Sequence, residues 1–258
     1  MAIEAILFVN WIFWAGLTAG TLLVVGLTER LGGTTRGYRL FMAWLLVVFA
    51  AILVLSELAL PSGVVASGTT GLRRPLALAV AGGAAAYLVA SLATWPRSGI
   101  AIGAGVAGLA ALVVLAFAGG SDNAALFAGQ LVLAALALGA VNAGMLLGHW
   151  YLVTPKLSPA PLRRMMWLLA ACLVVQGIAF GVAVAGGQEA LAGGLGLLTW
   201  LRLGVGILLP IVATTLAILA SSAASLQAST GLLYIGLALV MAGSIAGASI
   251  TYITGVPV

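Results

Sequence analysis

The chain has 258 residues, of which 64% are apolar and only 6% charged, against roughly 25% charged in an ordinary soluble domain. That balance excludes a water-soluble globule. The net charge of +5 lies at the ends of apolar runs and forms no basic face with interleaved aromatics, which excludes a nucleic-acid interface.

Taken in chain order, the apolar runs predict eight transmembrane helices near residues 5–29, 40–60, 75–95, 99–119, 124–153, 165–186, 198–220 and 231–254. Each approaches the roughly 20 residues that a hydrocarbon core of about 30 Å requires. They are continuously apolar rather than alternating with period two, which argues against a β-barrel. The first run carries Glu4, lacks a basic leader and is too long for a signal-peptide core, so it reads as a retained helix. The connections are too short for a separate soluble domain. The expected fold is therefore a single all-α, polytopic membrane domain in a cell (inner, cytoplasmic) membrane.

Alternate connections divide the basic residues unequally. Arg30, Arg36, Arg39, Arg97, Lys156, Arg163 and Arg164 fall on one side, and Arg73, Arg74 and Arg202 on the other. The positive-inside rule makes the first side cytoplasmic and places both termini outside. Anionic lipid headgroups are the partners this charge implies.

Sliding the sequence against itself by 124 residues superimposes Ala19 and Gly20 on Ala143 and Gly144, Arg39 on Arg163, Met42 on Met166 and Leu45 on Leu169. The chain then reads as two related four-helix halves, 1–119 and 120–258. Four is even, so each half starts on the same side and the repeat is parallel rather than inverted. GxxxG pairs at Gly16/Gly20 and Gly144/Gly148 make the first and fifth helices the expected close-packed elements.

Polar residues at membrane depth are costly unless paired or wet, and so mark candidate sites. Toward the outer face lie Glu57, Arg73, Arg74, Arg202 and Tyr252, with Gln130 nearby and Asn142 and Gln176 nearer the midplane. Glu57 and a guanidinium on another helix either form a buried ion pair or line a pocket for a quinone headgroup. In the pocket reading Arg202, Tyr252 and Arg74 contact the quinone, and Glu57 accepts its proton. The alternative for Glu57 is simple pairing or snorkelling to the interface.

A second candidate site, His149, Tyr151 and Lys156, sits at the inner end of the fifth helix in the segment GHWYLVTPKL. His149 is the single histidine, so a b-type haem would need methionine, from Met42, Met166 or Met241, as its other axial ligand. A structural hydrogen bond between helices is the other reading. The lone Cys172 supplies no metal-ligand set, and no zinc-protease, nucleophile-elbow or phosphate-loop motif occurs.

With eight helices in two parallel halves and FWAGLTAGTLL at residues 13–23, the chain resembles the NrfD-like membrane subunits of the polysulfide and dimethyl sulfoxide reductase type. The resemblance implies an anchor for an iron–sulfur partner subunit that exchanges electrons with menaquinone or ubiquinone near the outer face. A small-solute or lipid transporter with its cavity between the halves is the reading from a different class.

Overall fold

A computed structural model describes residues 3–61, 69–118, 124–154, 157–185, 195–223 and 225–254, and among these every regular element is helical. The helices are α1 (Ile3–Leu31), α2 (Arg36–Ala59), α3 (Thr70–Leu92), α4 (Ser98–Ala118), α5 (Ala124–Val153) and α6 (Ala160–Ala185). A seventh crossing joins α7 (Gly196–Trp200), a π-helical stretch Leu201–Leu208 and α8 (Leu209–Ser222); α9 (Leu226–Thr254) is the eighth. Eight helices are thus long and apolar enough to cross a bilayer. The protein is a multi-pass membrane protein whose outer face, with Trp44, Leu55, Trp167, Ile178 and Ile235 exposed, suits contact with lipid.

Several helices extend beyond the apolar runs that announced them, since α2 begins at Arg36 and α6 at Ala160, before Arg163 and Arg164. Hydropathy marks the stretch at hydrocarbon depth. The helix continues into the interface, where arginines reach water. The start of α2 is fixed by Thr35, whose side chain accepts a hydrogen bond from the Tyr38 amide. Irregularity in the seventh crossing follows from Pro210: it has no N–H for the Gly206 carbonyl, and the preceding ladder shifts register, with the Leu209 amide bonding the Gly204 carbonyl instead.

Helices α1 to α4 pack in a ring, each against the next and α4 back against α1. The last four crossings repeat that circuit, from α5 through α6 and the seventh crossing to α9 and back to α5. The rings meet where α1 crosses α5, flanked by α4 against α5 and α9 against α1. The crossing is a backbone contact. A Cβ at Gly20 would run into the Ala135 carbonyl, and one at Gly139 into the Gly20 backbone. Gly16, one turn earlier, meets only ordinary contacts beginning at 3.5 Å, and Gly144 likewise at 3.6 Å. The closest approach therefore uses one glycine of the first GxxxG pair and Gly139, which lies outside both. Asn142 Nδ2 donates to Thr21 Oγ1 (3.3 Å) and Tyr38 OH to the Ala143 carbonyl (3.0 Å) across the same seam.

Gly139→Ala should lower stability by about 1–3 kcal/mol, the usual cost of overpacking against groups that cannot move aside. Gly129→Ala, exposed on the same helix with nothing within 4 Å, should be neutral or stabilising by up to about 1 kcal/mol, because alanine is the better helix former. Unfolding of the two variants in mixed detergent micelles measures the difference; equal effects would remove the backbone crossing.

Candidate functional site

At the end of the bundle that carries the termini, the polar residues separate into two groups. In the first ring, Glu57 near the end of α2 meets Arg73 at the start of α3 in a two-pronged pair, Nε to Oε2 at 2.8 Å and Nη2 to Oε1 at 3.1 Å. Both side chains are 3% exposed. The guanidinium carbon lies 5.3 Å from the centroid of the Trp11 ring on α1, which adds a cation–π contact. Next to Glu57, Ser56 Oγ accepts from Asn10 Nδ2 and donates to the Ile52 carbonyl, both at 2.8 Å, while Trp14 Nε1 donates to Asn10 Oδ1 at 3.1 Å. Arg74, one residue on, points elsewhere and lines a recess of about 140 Å³ with Glu57, Val54, Leu58 and Ala77.

In the second ring the guanidinium is Arg202, carried by the π-helical stretch and 3% exposed. Its Nη2 donates to Gln176 Oε1 on α6 at 2.7 Å, and its Nε has no acceptor. Among the described residues no carboxylate pairs with it. A cavity of about 30 Å³ lies beside it, walled by Gln130, Phe13, Leu138, Ser244 and Thr251. Both amide atoms of Gln130 are buried without partners. Two residues with unpartnered buried polar atoms, Arg202 and Gln130, thus line one space of about 30 Å³. Unmet groups of this kind each cost roughly 1–3 kcal/mol, more when charged.

Phe13 also lines a larger groove of about 250 Å³ between α1 and α9, with Ile6, Val9, Asn10, Ile245 and Ser249. It is the common wall between that apolar groove and the Arg202 cavity. Tyr252 stands beside this region but faces α1, its ring 5.3 Å from that of Phe8.

The four outer candidates therefore do not converge on one point. Glu57 is taken by Arg73 rather than Arg202, Arg74 faces the recess, and Tyr252 packs on Phe8. The residues that do gather around Arg202 are Gln130, Gln176 and Phe13. Asn10 was missed, although an asparagine inside an apolar run is a visible signal. The choice of Arg73 over Arg74 was not visible, because adjacent helical residues point in directions about 100° apart and either face suits an arginine near a helix end.

At the opposite end His149 is exposed, with Nδ1 3.1 Å from the hydroxyl of Tyr234 on α9. This matches the hydrogen bond between helices that was one of its two readings. Met42 and Met166 lie in the core, the latter accepting from Ser229 Oγ at 3.5 Å, so neither shares the exposed surface of His149. Tyr151 is buried and donates to the Ser158 carbonyl at 2.8 Å. Lys156 lies outside the described residues. Among the described residues His149 and Tyr151 take separate partners, Tyr234 and the Ser158 carbonyl.

Comparison with protein-family models, with curated proteins and with solved structures found no match.

Removing one partner of the Glu57–Arg73 pair strands a buried charge. Arg73→Leu should cost about 3–5 kcal/mol, and adding Glu57→Leu should recover most of it, since an apolar pair of similar volume replaces a buried ion pair with little loss. Unfolding of both single variants and the double variant measures the coupling; strictly additive losses would show that the contact is not a coupled pair.

Proposed function

We propose that this chain is the quinone-interacting membrane subunit of a respiratory redox assembly, with the headgroup seated between α1 and α9 and one carbonyl oxygen turned toward Arg202. The observation that carries the reading is Arg202: a guanidinium 3% exposed, with a free Nε, no carboxylate partner, and an unpartnered Gln130 amide across a cavity of about 30 Å³. Such donors call for an acceptor, and a quinone reaches them from lipid and brings a carbonyl. The cavity admits an oxygen, not a ring. A ring fits the groove of about 250 Å³, with Phe13 turning aside to let the carbonyl through.

In this reading menaquinol or ubiquinol gives up two electrons, and its two protons leave to water at the end of the bundle that carries the termini. The electrons pass to an iron–sulfur or other redox centre on a partner subunit. Among the described residues no cluster of three His, Cys, Asp or Glu side chains is present to hold a metal. Arg202 and Gln130 donate to the quinone carbonyl and stabilise the charge that builds on it during transfer. Glu57, clamped by Arg73, is assigned a positioning part: it anchors the end of α2 where Ser56 holds Asn10 at the groove. The termini are assigned to the outer side of a cytoplasmic membrane, from the excess of arginine at the opposite end.

Titrating the purified protein in detergent with a short-chain menaquinone or ubiquinone analogue, read by quenching of Trp14 and the other tryptophans, tests the reading. Arg202→Met should weaken binding roughly 10- to 100-fold, the value of a hydrogen bond from a charged donor. It should leave the fold equally or more stable, because it removes an unpaired buried charge. Gln130→Leu should weaken binding by a smaller factor. Unchanged affinity in both variants, with the protein folded, would overturn the quinone site.

A further inference from the structure

The end of the bundle away from the termini holds a second buried carboxylate, and none of the chemistry above uses it. Glu29, in the last turn of α1, accepts from Tyr87 OH on α3 at 2.7 Å and from Arg97 Nε in the α3–α4 connection at 3.1 Å. Arg39 of α2 brings its Nε to within 3.8 Å of the same carboxylate. Two guanidiniums against one carboxylate leave one positive charge in excess. Each guanidinium also spends an Nη1 on backbone, Arg39 on the Thr34 carbonyl at 3.1 Å and Arg97 on the Trp95 carbonyl at 3.2 Å. Among the described residues, Nη2 of each has no acceptor, and the two side chains retain 26% and 15% exposure.

Those free edges border a polar cavity of about 330 Å³ that Glu29, Arg39, Thr94, Trp95, Arg97 and Ser98 line, a size typical of small-ligand sites, which run roughly 300–1,000 Å³. Two further features make its wall attractive to an anion. Helix α4 begins at Ser98, and its first turn adds positive potential there. Thr94 closes α3 in a left-handed conformation (φ 60°), with the Trp95 amide bonded back to the Ala90 carbonyl at 2.9 Å. Helices ending in this way favour glycine at that residue, because a β-branched side chain is strained there. Threonine keeps a hydroxyl on the cavity wall that glycine would not supply.

We propose that this cavity binds a phosphate group, carried either by an anionic lipid headgroup or by free phosphate, between Arg39, Arg97 and Thr94. The carboxylate of Glu29 offsets one of the two positive charges, and Trp95, exposed at the rim, sits where interfacial aromatics meet headgroups. Each free Nη2 can donate a charge-assisted hydrogen bond to a phosphate oxygen.

The test measures thermal stability and bound lipid for the whole chain in bilayer discs of phosphatidylcholine with and without phosphatidylglycerol. Parallel detergent samples contain inorganic phosphate or chloride at matched ionic strength. Stabilisation by phosphatidylglycerol alone supports the site and identifies a lipid headgroup; stabilisation by inorganic phosphate as well supports it and identifies phosphate itself. No response to either would overturn it. Thr94→Gly should raise the melting temperature and weaken phosphate or phosphatidylglycerol binding several-fold, a divergence that a merely structural corner would not produce. Arg97→Gln should lose binding at least tenfold. Glu29→Gln, where it folds, should bind the anion more tightly by removing the neutralising charge. Unchanged binding in folded Thr94→Gly, or weaker binding in folded Glu29→Gln, counts against the proposal.

Discussion

The approach of α1 to α5 through Gly20 and Gly139 is the constraint on which the remaining geometry depends. In lipid, apolar side chains gain nothing by leaving their solvent, so helices associate through close contact and interhelical hydrogen bonds. At this crossing a backbone meets a backbone, and the Asn142–Thr21 and Tyr38–Ala143 bonds fix its depth. With α1 held there, α4 closes on it from the other side, where Gly105 and Gly108 seat against Leu23 and Ala19. α1 thus becomes the inner post of the bundle. Its two ends supply Asn10, Trp11 and Phe13 to one polar region and Glu29 to the other.

Each ring carries an arginine early in its third crossing and pairs it with a polar residue late in its second. In the first ring the partner is Glu57, and the pair is charge-balanced, two-pronged and covered by Trp11. In the second it is Gln176, a neutral amide that satisfies one nitrogen of Arg202 and leaves another without a partner. The first pair is balanced in charge, with Arg73 Nη1 left buried without an acceptor. A guanidinium held at membrane depth by an amide keeps most of its charge uncompensated and is the more reactive of the two toward an incoming oxygen. The two rings thus differ in how their buried arginine is compensated, and that difference is what the proposed function rests on.

The number of crossings was legible from composition and run length, because burial in lipid imposes a strong one-dimensional signal, and the glycine spacing marked the first and fifth helices as close-packed without showing that they pack on each other. The helix ends were less legible, since arginines that terminate an apolar run do not terminate a helix. Glu57 and Arg202 were both found by depth, but their partners were not. Pairing depends on which face of a helix turns inward, and a helix apolar on all sides gives almost no moment to read. The glycine motif pointed to the right helices and the wrong contact, since thirty-five glycines make spaced pairs common while the α1–α5 crossing itself rests on Gly20 and Gly139. The π-helical turn left one trace, Pro210, whose effect falls on the residues before it.

That turn bears on how the Arg202 cavity is made. A π-helical register widens the helix and rotates the residues that follow relative to a regular ladder. Within it, Gly206 lies against Gly243 so closely that a Cβ on either would strike the other backbone. The seventh crossing is therefore pinned to α9 one turn after Arg202, and α9 contributes Ser244 and Thr251 to the cavity and Ile245 and Ser249 to the groove. Arg202 and the groove wall are then fixed to a single helix pair, while Phe13 belongs to α1 across the seam between rings. A side chain that separates two spaces, and is anchored on a different element from the groups it screens, can turn without disturbing the donors behind it. Arg202 and much of the wall around it thus share one helix pair, while Phe13, which borders both spaces, stands on α1.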